Sequence, residues 1–132
     1  MLAQVSIPEN LANRCFHHKQ IIRFSAELDQ TGGVAERMRR LLKRCCNPDV
    51  REHIFELADF TMLESLRALQ LPRPGVRLLV ADRDLGELHR RRNLVQALRP
   101  VLVLDRCTGS LPRAVQFLAS LNLPIQVSPA VL

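Results

Sequence analysis

Four times along this chain a short apolar run ends on an aspartate and passes into a segment of helical spacing. The runs are Ile21–Leu28 before Asp29, His53–Ala58 before Asp59, Val76–Ala81 before Asp82, and Val101–Leu104 before Asp105. Runs of this length, rich in Val, Ile and Leu, read as buried strands. A chain that alternates them with amphipathic helices has few options. It builds a largely parallel sheet and covers it with the helices, connected by right-handed crossovers.

The helical segments carry their own signals. After Gly33 the apolar residues Val34, Met38, Leu41, Leu42 and Cys45 fall on one helical face, and Asn47-Pro48 ends the segment. Met62, Leu63, Leu66 and Leu69 make a second helix that Asp59 or Thr61 can cap, and Pro72-Arg73-Pro74-Gly75 stops it. Leu85, Leu88, Leu94, Val95 and Leu98 predict a third. Leu111, Ala114, Val115, Leu118 and Leu121 predict a fourth, with Ser110 as cap and Pro112 in its first turn. Pro124–Val127 reads as a closing edge strand, and Leu2–Ile7 as a short strand at the other end. The expected fold class is therefore α/β, a mostly parallel or mixed sheet of about five strands covered by about four helices. At 132 residues it is one domain. Residues 1–20 form an irregular or short-strand start, 21–121 the core and 122–132 a terminal strand or tail.

Composition narrows the function classes. The net charge is +6, and 17 of the 19 basic residues are Arg, which allows acidic protein partners, nucleic acid or a membrane surface. Aromatic residues make up only 4% and Trp and Tyr are absent, so base stacking has little to work with. The basic faces are Arg37, Arg40 and Arg44 on the first helix, with Arg39 and Lys43 beside them, and the run Arg90-Arg91-Arg92. Without base-stacking aromatics or a helix-turn-helix, these read first as solvated or acid-binding surfaces. Cys15, Cys45, Cys46 and Cys107 show no disulfide or CxxC spacing, and no leader or membrane-length apolar run is visible, so the cytoplasm is expected.

Three constellations bear on chemistry. Cys107 and Arg113 stand six positions apart between a strand and a helix, the spacing of cysteine phosphatases, whose loop amides and Arg bind phosphate around a thiolate. The loop has one Gly, however, and Ala114 follows where a hydroxyl residue is wanted. Asp82, Asp84 and Asp105 lie at the carboxyl ends of two strands, where parallel sheets place their sites, and they can either hold Mg2+ or cap helix starts. His17, His18, His53 and His89 show no ligand spacing. The expectation is no metal, no cofactor and no catalytic residue.

Four stretches resemble a STAS domain, the fold of anti-sigma factor antagonists and of the cytoplasmic tails of sulphate transporters. Ile21–Asp29 is similar to the family strand ending in Gly-Glu-Leu-Asp, here Ala-Glu-Leu-Asp. Phe55–Ser65 is similar to the strand and loop that end in an Asp-Ser-Ser-Gly switch, though the second Ser and the Gly are missing at Ser65-Leu66. Gly75–Val80, and Val101–Asp105 with the helix through Leu121, are similar to the later strands and closing helix. The resemblance implies a non-enzymatic, bacterial-type regulatory module that binds another protein, kinase-like or otherwise regulatory. Asp29, Asp59, Thr61, Glu64 and Ser65 would form its docking and phospho-switch region, with Ser65 as the phosphorylated position. Two other functions stay open: a basic nucleic-acid-associated protein and a phosphatase-like enzyme using Cys107 and Arg113.

Overall fold

A computed structural model describes residues 12–16, 19–23, 39, 40, 43, 52–56, 61–69 and 75–132. Its strands are β1 Ala12–Phe16, β2 Lys19–Arg23, β3 Glu52–Glu56, β4 Val76–Ala81, β5 Val101–Arg106 and β6 Ile125–Val127. The helices are α1 Thr61–Leu69, α2 Leu85–Arg90, α3 Arg92–Leu98 and α4 Leu111–Ala119, with 3-10 turns at Asp82–Asp84 and Pro129–Val131. Arg39, Arg40 and Lys43 are also helical. The Leu2–Ile7 strand, and Asp29, Arg37, Arg44 and Asp59, lie outside the described residues. No helix among those described is long and apolar enough to cross a membrane.

The six strands form one sheet in sequence order. β1 and β2 pair antiparallel, Ala12 opposite Arg23 and Phe16 opposite Lys19. Every later pair, β2 with β3 through β5 with β6, is parallel. The α/β reading thus holds, with a different strand count from the five expected. Four parallel strands, β3 to β6, carry the described core, and the β1–β2 hairpin extends the sheet beyond them. Of the apolar run from Ile21, the described strand includes Ile21–Arg23, and residues 24–28 lie outside the described residues; β2 starts earlier, at Lys19, and pairs antiparallel with β1.

Because each strand is added on the same side of the last, right-handed crossovers must put all the connecting helices on one face. The core shows it. Phe55, Val76, Leu78, Val80, Leu102 and Leu104 alternate along β3, β4 and β5 and are almost wholly buried. They join Leu63 and Leu66 of α1, Leu88 of α2, Val95 and Leu98 of α3, and Ala114 and Leu118 of α4 in one cluster. The intervening residues Ile54, Arg77, Leu79, Val101 and Val103 are only half-buried. The described helices therefore cover one face of the strands.

One predicted helix divides. The 85–98 segment breaks at Arg91, whose backbone leaves the helical region at φ −102 and ψ 23. Between Leu88 and Leu94 the apolar rhythm skips a turn and three arginines fill it, so no side chain holds a continuous helix to the sheet there. α3 then closes on Arg99 in the left-handed conformation, φ 51, a helix ending of the αL type.

Candidate functional site

The carboxyl end of the parallel strands is where the chain's polar groups converge. Here β4 and β5 slip by one residue: Val80 pairs with Leu104, but Ala81 pairs with Arg106. The extra residue, Asp105, is a bulge, and a bulge re-aims the side chains beyond it. Without it Arg106 would continue the alternation of Leu102 and Leu104 into the core. With it, Arg106 joins the open face and its guanidinium reaches Glu56 Oε1 at 3.1 Å. A shallow cleft of about 20 Å³ lies beside the bulge, lined by Glu56, Ala81, Arg83, Asp84, Asp105 and Arg106 among others. That is room for about one water molecule.

Next to this cleft the β5–α4 loop closes on Asp82. Asp82 Oδ2 accepts from the Gly109 amide at 2.8 Å and the Thr108 amide at 3.0 Å. The Thr108 hydroxyl adds bonds of 3.3 and 3.5 Å to the two carboxylate oxygens. The Gly109 amide is the main reason the Asp82 carboxyl is held below its ordinary value of 3.8; partial burial opposes it, and the Thr108 amide and hydroxyl and the Arg83 amide add to it. A Cβ at Gly109 would stand 3.3 Å from Asp82 Oδ2, so a larger residue there would require the carboxylate to shift by a few tenths of an ångström.

The three aspartates thus have distinct roles. Asp82 bridges to a loop 26 and 27 residues away. Asp84 Oδ2 accepts from the Ala81 amide at 2.9 Å, capping the turn after β4. Asp105 forms the bulge. Among the described residues no group of three His, Cys, Asp or Glu side chains is arranged to hold a metal ion.

The phosphatase arrangement does not form around Cys107. Its sulfur faces acceptors, Gly109 O at 3.5 Å and Asp82 Oδ2 at 3.8 Å. A nucleophilic thiolate needs amides and cations there, and two of the loop amides already serve Asp82. Arg113 contributes its backbone amide to the Ser110 side chain at 3.4 Å, which caps α4 as its sequence predicts.

The residues of the expected switch region are distributed unevenly. Thr61 begins α1 and Glu64 is exposed on it. Ser65 is 2% exposed and lies between Leu63 and Leu66 in the buried stripe. Of the basic faces, Arg40 and Lys43 are exposed. Arg90 and Arg91 both reach Glu87, at 3.1 and 2.8 Å, while Arg92 is exposed. Glu87 is correspondingly held below its ordinary 4.5, first by the Arg91 hydrogen bond, against partial burial, and then by the charges of Arg90 and Arg91. His53 is buried and stacks on Phe55 at 6.2 Å.

The Asp82 clasp is the feature that sequence reading missed. Its signal, an aspartate at one strand end and Thr-Gly after the next, becomes meaningful only once adjacent strands are known to be neighbours.

The fold is a one-sided α/β layer whose loop end is tied together by its own carboxylate. No family model, curated protein or solved structure matches the chain.

Proposed function

We propose that the chain is a non-enzymatic regulatory module that acts by binding another protein, with the STAS-like character suggested by Ile21–Asp29 and Phe55–Ser65. One observation carries the reading. At the end of the sheet where α/β enzymes seat their ligands, the amides of Thr108 and Gly109 hold the chain's own Asp82 carboxylate. An anionic substrate would have to displace it. A surface closed by internal bonds suits docking better than turnover.

The nucleic-acid reading has less behind it. Arg77, Arg90, Arg91 and Arg106 are each paired with a glutamate, which lowers the charge available to phosphates. Within the protein-binding reading, the phospho-switch meets a physical obstacle at Ser65. A kinase reaches that hydroxyl only if α1 lifts off the sheet, whereas Glu64 on the same helix is exposed.

The test is saturable binding by a purified partner, first captured from native lysate and then titrated at rising salt. One-to-one binding with a shallow salt dependence is expected. Micromolar binding to nucleic acid with a steep salt slope, and no saturable protein partner, would transfer the function to the second class. Aryl phosphate hydrolysis lost in Cys107→Ser would restore the enzyme. Phosphate incorporation that persists in Ser65→Ala would end the switch at that position.

A further inference from the structure

Among the described residues only Phe117 and Leu132 are large hydrophobics with exposed side chains. Phe117 lies within α4 at 39% exposed, and His89 of α2 meets it edge-on with ring centroids 5.4 Å apart. The two rings close the outer seam where α2 lies against α4. An edge-on pair on the surface is a fixed aromatic platform with little rotamer freedom left to lose on binding.

The surroundings of this platform are biased in charge. Around the seam, Leu85–Arg92 has three Arg against the one acidic residue Glu87, and α4 adds Arg113, so the two helices carry a positive excess. Arg113 is exposed one helical turn before Phe117 on α4, where positions four apart share a face. Arg90, next to His89, has a side chain 76% exposed even while paired with Glu87. α4 itself, Leu111–Ala119, contains no acidic side chain at all.

We infer that the His89–Phe117 seam, with Arg113 at its border, receives an acidic segment of a partner protein that sets an apolar side chain against Phe117. An apolar anchor within a polar rim is the arrangement of a protein-binding hot spot, and the positive excess left after Glu87 is paired favours an acidic partner. A nucleic-acid strand fits less well, because one ring pair offers no succession of stacking platforms. The inference rests on the protein-binding reading above and places the contact on α2 and α4 rather than on α1.

The experiment is selection of a displayed library of random short peptides on the full chain, with Phe117→Ser, Arg113→Glu and Glu64→Lys proteins as comparisons. The expected peptides carry Asp or Glu around a Leu, Ile or Phe, and they lose about tenfold or more in affinity to Phe117→Ser. Arg113→Glu weakens them as well, while both variants keep the parent's thermal unfolding midpoint to within a few degrees. Acidic peptides that bind Phe117→Ser undiminished overturn the inference. If they respond to Glu64→Lys instead, protein binding stands and only this surface fails. Peptides without acidic bias, no enrichment at all, or an oligonucleotide that binds the same seam more tightly also overturn it; absence of any peptide counts against both readings.

Discussion

The two faces of the sheet are made from the same strands, residue by residue in alternation, and they are stabilised differently. On the covered face Leu78, Leu102 and Leu104 are fully buried against all four helices. On the open face Ile54, Leu79, Val101 and Val103 are covered by no described helix, and long charged side chains lie on that face. Arg77 is the clearest case. Its Nε is ion-paired with Glu52 of β3, and its guanidinium also donates to Gln126 Oε1 of β6 at 2.8 Å. To reach β6 from β4 the side chain must pass over β5, so its stem shields the valines beneath it. Arg77 thus roofs part of the second face of the described sheet.

Neighbouring residues on opposite faces give the sharpest way to break that contrast. Leu78→Ala empties a site with no solvent access and is expected to cost about 2–5 kcal/mol of unfolding free energy. Leu79→Ala removes the same atoms from the half-buried side and is expected to cost less than about 2 kcal/mol. Urea denaturation of the two variants compares them directly. Equal losses would mean that the open face is packed as tightly as the core.

The Asp82 clasp stands between the faces in character, polar yet structural. Asp82→Asn is expected to lower stability at neutral pH and to speed hydrogen exchange at the Thr108 and Gly109 amides. The acid limb sharpens the point. A carboxyl held below its ordinary value stabilises the fold above about pH 3.8, and that stabilisation disappears as pH falls through the lowered folded value. Wild type and Asp82→Asn stabilities should therefore converge below pH 3.8. A difference that instead persists unchanged into acid would show that the clasp does not depend on charge.

The smallest effect is expected from the roof. Arg77→Ala should change stability by only about 0–1 kcal/mol, because its ion pair is partly exposed and screened. It should increase the binding of a hydrophobic dye to the folded protein as Val101 and Val103 are uncovered. A loss as large as that of Leu78→Ala would place Arg77 among the determinants of the fold.

Much of this architecture was legible in the residues. Val76–Ala81 and Val101–Leu104 are apolar enough to be read as strands by themselves, and Ser110 with Pro112 announces the start of α4. What escaped depends on partners distant in sequence. β2 and β3 align in parallel through Ile21 opposite Ile54, but nothing local in Lys19–Arg23 shows that Ala12–Phe16 folds back on it. The one-sidedness escaped too. Leu79 and Val103 look like core residues in the sequence, and only the constant direction of strand addition exposes them. Of the candidate site, Asp82, Asp84 and Asp105 were found as a group, yet their separate tasks come from one bulge and one loop that no spacing reveals. Ser65 shows the converse: a motif placed it in a switch, while the helical phase of Leu63 and Leu66 put it inside.

The order of the strands also has a bearing on how the chain assembles. Each described strand from β2 onward pairs with the described strand before it in sequence, so none of them has to wait for a distant later one before it can dock. Such nearest-in-sequence pairing keeps loop closures shorter than crossed strand orders would, within the slower regime of parallel sheets. On a ribosome it would let the described sheet lengthen strand by strand from β1 to β6.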